Sequence, residues 1–362
     1  MSLRPASSRV SCFILPRRIP NGLRSLSIQA QQPASAVASS FLSRCQSRGP
    51  TTRTQVLDSN QLQLLSLTLN RPSLFPGSPP LSQSSSTGST SPPPGTPLPP
   101  GYHLVYFTPA FLEGELGADG TDVSYNPDAP FTRRMWAGGE LSWSRGADGK
   151  PNLLRVGQEV RETTRVLSAE PKVVKRTGEE MLVVGVEKEF ANDDGVALVD
   201  RRNWVFRKAL PTSPSAARPM ASLRPPTPPK PSTPNLAGPV KSHKRTLQQS
   251  AVTLFRFSAL TFNPHKIHYS VPWARDVEGH RDVVVHGPLN LISILDFWRD
   301  TRDRQGEPGL LLPRSISYRA TSPLYVDEKY EIALDEDREG LAEVQIIRPD
   351  GVVAMKATVR DH

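Results

Sequence analysis

Cysteine is almost absent from this chain. The two it has, Cys12 and Cys45, both lie within residues 1–50, so the remainder can form neither a disulfide framework nor a thiolate zinc site. No stretch approaches the roughly eighteen uncharged apolar residues that a membrane-spanning helix needs. Acids are missing from residues 1–50, which hold seven arginines, and from residues 211–250, which hold six lysines and arginines. The formal charge of +9 therefore sits in those two stretches, and the rest of the chain is net negative. Nucleic-acid binding loses its main electrostatic support, because no basic surface is left for a folded domain.

Proline, by contrast, is abundant at 37 residues and clusters with serine and threonine. Pro76–Pro100 and Pro211–Val240 have too little apolar surface to offset the cost of ordering them. These stretches divide the chain. Residues 1–50, rich in arginine and serine and free of acids, have the make-up of a mitochondrial presequence. In residues 51–72, Leu57, Leu62, Leu65 and Leu69 follow a cap at Asp58 or Ser59 and predict a short amphipathic helix. Residues 73–100 read as a Pro/Ser linker, and residues 211–247 as a second, Pro-rich and disordered one. Between and after them lie two halves, residues 101–210 and 248–362.

Both halves read as α+β. Strand-like runs occur at His103–Phe107, Glu140–Trp143, Gln158–Leu167, Met181–Phe190 and Ala197–Arg207 in the first. The second offers Val252–Leu260, Ile316–Ala320, Lys329–Leu334, Leu341–Arg348 and Val352–Arg360, with an apolar helix at Pro288–Arg299. The halves look like two copies of one plan.

Three of only seven histidines, His265, His268 and His286, surround one short apolar segment. They could supply three nitrogens to a metal, but no carboxylate stands at a helical spacing beside them. An incidental surface turn is the bland alternative, although it leaves the apolar frame unexplained. Val283, Val284 and Val285 lead into His286 and Gly287, where a buried helix begins. A proton carrier beside the free N–H groups of a helix start is what elimination next to a thioester carbonyl requires.

"FSALTFNPHKIHYSVPWA" followed by "EGHRDVVVHGPL" resembles the active-site stretch of MaoC-like hot dog dehydratases. The similar subgroup includes mitochondrial 3-hydroxyacyl-thioester dehydratases of type 2 and mesaconyl-C4-CoA hydratases. "LPPGYHLVYFTP", "LGADGTDVSYNP" and "RRMWAGGELSW" resemble the partner domain. The resemblance implies a double hot dog in which two antiparallel sheets form one continuous layer, with the central helix retained mainly in the C-terminal half. That half would be catalytic, and the N-terminal half would bind substrate without catalysing.

By the same resemblance, His268 is the catalytic histidine and Asn263 stands where the wider group has aspartate. Gly287 supplies an oxyanion N–H, His286 fixes the helix start, and His265 is a surface or outlying residue. Tyr269 and Trp136 would line the pocket, and Arg133, Arg134 or Arg275 would meet a distal carboxylate if the substrate has one. Asp296 is the carboxylate that a thioesterase would use. The implied reaction is reversible dehydration of (3R)-3-hydroxyacyl thioesters in the mitochondrial matrix, within fatty-acid synthesis, and it needs no metal or redox cofactor. The alternatives are hydration of a short dicarboxylic CoA thioester and an inactive acyl-thioester-binding protein. The implied partner is acyl carrier protein or a CoA thioester, with the oligomeric state left open.

Overall fold

Period-2 alternation marks the strands whose one face packs on the core, and ten strands lie among the described residues. They are β1 (Thr51–Val56), β2 (Phe131–Trp143), β3 (Glu159–Val173), β4 (Glu180–Asn192), β5 (Gly195–Lys208), β6 (Lys241–Gln248), β7 (Ser315–Ala320), β8 (Lys329–Glu336), β9 (Leu341–Ile347) and β10 (Val353–Arg360). All belong to one antiparallel sheet with the order β1-β3-β4-β5-β2-β7-β10-β9-β8-β6. The structure is a computed structural model that describes residues 32–83, 91–146, 148–175, 177–209, 241–302, 312–337 and 340–361.

Divided between β2 and β7, the order is the same plan twice, with the first strand of each half at an outer edge and the second at the seam. Four helices accompany the sheet: α1 (Ala34–Arg48), α2 (Ser59–Thr68), α3 (Ala251–Leu260) and α4 (Gly287–Asp300). In each half a short helix follows the first strand, α2 after β1 and α3 after β6. Only the C-terminal half adds the long α4. This is the α+β double hot dog arrangement, with its central helix in the C-terminal half.

α4 is buried almost all round, which its sequence explains. Leu289, Leu291, Ile292, Ile294, Leu295, Phe297 and Trp298 cover most of its surface, and the polar Asn290, Ser293, Asp296 and Arg299 between them are buried with them. Its C-terminal turn is polar and held by ion pairs. Asp296 pairs with Arg299 at 2.7 Å and accepts from the Tyr102 hydroxyl at 3.1 Å, while Arg71 forks onto Asp300 at 2.8 and 2.7 Å. The two sheet edges, β1 (TTRTQV) and β6 (KSHKRTLQ), are polar and largely exposed, which blunts edge-to-edge pairing. No helix among the described residues is long and apolar enough to cross a membrane.

Several sequence expectations differ from the fold. Val252–Leu260 is not a strand but α3, because Thr253, Leu254, Phe257 and Leu260 bury one helical face and the Ser250 hydroxyl caps the Thr253 N–H at 3.2 Å. His103–Phe107 is not a strand but a 3-10 turn at Tyr102–Val105, packed against α4. The Pro/Ser stretch 73–100 is not a free linker in its described parts, since Leu74, Leu81 and Leu98 join the main core. The second half starts before residue 248, because Lys241–Gln248 is β6, an edge strand whose exposed face accounts for its polar sequence. The rest of that expected linker, residues 211–240, lies outside the described residues.

The expected presequence also reaches too far. Residues 1–31 lie outside the described residues, but Ala34–Arg48 is α1, whose Val37, Ala38 and Phe41 pack on Leu182, Val184, Val186 and Phe206 of β4 and β5. Asp58 caps α2 as expected, accepting from the Gln61 N–H at 2.8 Å.

The seam joins Gly138–Ser142 of β2 to Ser315–Arg319 of β7. A bulge between Trp136 and Gly138 precedes it. A Cβ on Gly138 would lie 2.5 Å from the Tyr318 carbonyl oxygen, and one on Gly139 would lie 2.1 Å from that of Arg201. Only glycine fits between three strands that close, since backbone cannot step aside as a flexible side chain can. Gly139→Ala is therefore expected to cost about 2–3 kcal/mol in urea unfolding. Gly114→Ala, with nothing within 4 Å of its Cβ, should stay within about 0.5 kcal/mol.

Candidate active site

α3 ends at Thr261, whose hydroxyl returns to the Phe257 carbonyl at 2.7 Å, and Phe262 then takes a left-handed conformation (φ 47°). The reversal sends Asn263, Pro264 and His265 back toward the sheet and into a 3-10 turn at Lys266–His268. The turn is anchored on both sides. The Val284 N–H donates to the Ile267 carbonyl at 2.9 Å, and the Lys266 N–H donates to the Asp119 carbonyl at 2.8 Å, across from the N-terminal half. Gly120 is required there, because its Cβ would lie 2.2 Å from the Pro264 carbonyl oxygen.

These anchors bring the three histidines into one buried row. His268 stacks on His286 with ring centroids 3.6 Å apart and meets His265 edge-on at 5.3 Å. The Nδ1 of His268 lies 2.8 Å from the Val284 carbonyl oxygen, which can only accept, so Nδ1 carries the proton and Nε2 carries the lone pair. His286 is bonded through Nε2 to the Ser258 hydroxyl at 2.9 Å, and its side chain does not cap α4. It fixes the helix start by tying it to α3. Burial pushes His268 down to about 4 against the upward pull of its Val284 bond, and pushes His265 and His286 well below the usual imidazole range. All three are neutral at physiological pH.

A cavity of about 1060 Å³ opens along the sheet and is lined from both halves. His268, His265, Asn263, Gly287, Trp136 and Arg134 all face it. Gly287 begins α4; Pro288 has no N–H and the Asn290 N–H donates to the His286 carbonyl at 3.2 Å, so Gly287 and Leu289 are the first-turn N–H donors left to the helix start. A Cβ on Gly287 would lie 3.2 Å from Trp136, so the glycine lets the indole from β2 pack flat against the helix start. The arrangement can hold a buried neutral base beside backbone donors at the wall of an open cavity, which suits proton transfer next to a carbonyl.

Other expected site residues are elsewhere or already engaged. Tyr269 is 51% exposed and lies outside the cavity wall. Arg133 is paired with Glu278, and Arg275 with Asp282 at 2.8 Å, and neither lines the cavity. Arg134 does line it but is paired with Asp122 at 2.5 Å; burial alone would raise that carboxyl, and Arg134 overrides it and holds it at about 2. His265, expected at the surface, is 8% exposed and on the cavity wall. Asp296 lies among Tyr102, Arg299 and Arg71, away from the cavity, so it is not placed to attack a thioester there.

The family model for hydroxyacyl-thioester dehydratase type 2 matches residues 101–326. The chain belongs to that family. A hydroxyacyl-thioester dehydratase type 2 is a hydro-lyase, which fits a buried imidazole base at a helix start. Among curated relatives, mesaconyl-C(4)-CoA hydratase of Chloroflexus aurantiacus is 29% identical over 75% of this chain and 86% of its own. The mitochondrial hydroxyacyl-thioester dehydratase type 2 of Schizosaccharomyces pombe is 25% identical over 67% of this chain and 79% of its own. A conserved hypothetical protein of Mycobacterium tuberculosis, described as having a double hotdog fold, shares 12% identity with a TM-score of 0.50, covering 85% of this chain and 94% of that one.

Within this dehydratase family member, sequence reasoning missed Asp119, which approaches His265 from the N-terminal half at 3.8 Å. The Asp-Gly turn in "LGADGTD" was the available signal.

The buried neutral histidines make stability depend on pH in a definite direction. A folded pKa of about 4 for His268 lies below its unfolded value of 6.5, so the unfolded chain binds more protons between them. Stability is complete above the unfolded value and declines as pH falls toward the folded one. In urea unfolding, the loss between about pH 7 and about pH 4.5 should be smaller by about 2 kcal/mol in His268→Asn than in the parent. An equal loss in both would mean that His268 is not held neutral.

Proposed function

We propose that the protein interconverts (3R)-3-hydroxyacyl and trans-2-enoyl thioesters, with His268 as the proton carrier. The supporting observation is the His268 ring itself, whose Nδ1–H is committed to Val284 so that the Nε2 lone pair is left for the cavity. In dehydration, Nε2 takes the C2 proton while the electron pair moves toward the thioester oxygen, facing the first-turn N–H groups of α4 at Gly287. The pair then returns to form the C2–C3 double bond, the C3–O bond breaks, and the imidazolium gives its proton to the departing hydroxyl as water. Hydration runs the same steps in reverse.

His268→Ala should lower kcat by about 10²- to 10⁴-fold without unfolding the chain. Because the free base is present above about 4, the hydration rate should be level at neutral pH and fall only as pH approaches that value. An acid limb centred on the ordinary imidazole value would place the essential proton elsewhere.

The acyl group would be carried on acyl carrier protein or CoA within mitochondrial fatty-acid synthesis. Two relatives from yeasts bear mitochondrial names, and residues 1–50 are rich in arginine and free of acids. Because α1 is packed on the sheet, removal of a presequence would stop short of Ala34. Terminal sequencing of protein from isolated mitochondria should find a start after about residue 20 and before Ala34. An intact Met1, or a start beyond α1, would contradict this.

A specific observation supports the short dicarboxylic CoA thioester as a second reading. Arg53, Lys188 and Arg202 line the cavity on the N-terminal half, the first two paired with Glu162 and the third with Asp200, so part of that wall is charged. A long alkyl chain laid over those ion pairs would remove water from them and return no hydrogen bond. Measuring kcat/KM for enoyl thioesters of rising chain length, with and without a distal carboxylate and on both carriers, decides between the two. Preference for long unsubstituted chains supports fatty-acid synthesis, and preference for a short carboxylate-tipped chain supports the second reading.

A further inference from the structure

Position 263 bears asparagine, which neither takes up nor gives up a proton, so His268 lacks the carboxylate partner that would share a water molecule with it. We propose that His265, oriented by Asp119 of the N-terminal half, supplies the missing partner and holds the water or leaving hydroxyl at the C3 carbon. This assignment rests on the dehydratase reading above.

The geometry is specific. His265 lies on the same cavity wall as His268, edge-on to it at 5.3 Å, and its Nε2 is 3.8 Å from Asp119 Oδ2. That separation is longer than a hydrogen bond, as contacts of this kind often are before a substrate closes the site. The Asp119 carboxylate is held in register, because its Oδ1 accepts from the Thr121 N–H at 2.9 Å and the Thr121 hydroxyl at 2.8 Å, leaving Oδ2 for His265. Two further bonds fasten the loop to the histidine turn, from the Lys266 N–H to the Asp119 carbonyl at 2.8 Å and from Lys266 Nζ to the Ala118 carbonyl at 2.7 Å.

The surrounding charges leave this pair to itself. Arg134 is committed to Asp122 and Arg133 to Glu278. Burial first, and then His268, Arg134, His280 and Arg133 around the ring, keep His265 neutral, with one nitrogen able to accept. Asp119 Oδ2 faces Nε2 at 3.8 Å, which in this assignment puts the ring proton on Nε2, toward the carboxylate, and the Nδ1 lone pair toward the water.

The step balances with one proton in motion. In hydration, His268 Nε2 takes one proton from water as the oxygen bonds to C3. The second O–H stays intact and donates to His265 Nδ1. The displaced electron pair moves to the thioester oxygen, and His268 then returns its proton to C2. His265 touches the reacting oxygen and is catalytic in that sense; Asp119 acts through it as a positioning residue.

The test measures hydration of crotonyl-CoA by the full chain and its variants, with circular dichroism to check folding. His265→Ala should lower kcat by about 100-fold with KM changed by less than about threefold. Asp119→Asn, which keeps an acceptor for Thr121, should lower kcat by about tenfold. The double variant should be no slower than His265→Ala alone, since Asp119 acts only through that ring. His265→Gln, whose amide oxygen can accept the same hydrogen bond, should recover part of the loss. Near-normal kcat in both single variants, additive losses in the double variant, or a larger loss in Asn263→Ala than in His265→Ala would each overturn the assignment. A parent chain that hydrates no enoyl thioester at all would instead overturn the functional reading on which it rests.

Discussion

The pairing of β2 with β7 is the constraint on which the rest of the molecule depends. Five residue pairs across that seam turn two small sheets into one layer of ten strands. The seam fixes Trp136 against Gly287, and it sets loop 117–121 of one half beside the histidine turn of the other. Two glycines make the approach possible, because at Gly138 and Gly139 a side chain would meet carbonyl oxygens of the adjoining strands. The site is thus built from both halves, and the N-terminal half is more than a passive wall.

Burial of the histidine row gives the site its chemistry. An imidazole shielded from water is a poor host for a permanent charge, so His265, His268 and His286 stay neutral where an exposed histidine would be partly protonated. A single backbone bond to Val284 then decides which nitrogen of His268 is free. In the proposed reaction, the same low-polarity setting would strengthen the pull of the α4 N–H groups on a developing oxyanion. Stability at low pH is given up in return, because unfolding releases three rings to take up protons.

Much of the sheet was legible in the sequence. Runs such as "MLVVGVEKEF" place Leu182, Val184, Val186 and Phe190 at every second or fourth position on a core-facing side, and α4 declared itself through seven large apolar residues within one helical length. α3 did not, because Val252 and Phe255 on its exposed side mask the helical spacing of Leu254, Phe257 and Leu260 and imitate a strand. β1 and β6 were missed because edge strands with few buried positions lose the apolar signal. That His268, Asn263 and Gly287 would share one cavity wall was legible from two neighbouring motifs. Asp119 was not, since its meeting with His265 is made by the seam and has no counterpart in local spacing.

Tracing the transferred proton tests the central claim most directly. The full chain incubated with crotonyl-CoA in deuterated water should yield (3R)-3-hydroxybutyryl-CoA carrying a single deuterium at C2, read by NMR of the product. Release of free CoA, or hydration without stereospecific labelling at C2, would contradict a single imidazole carrying the proton in this site.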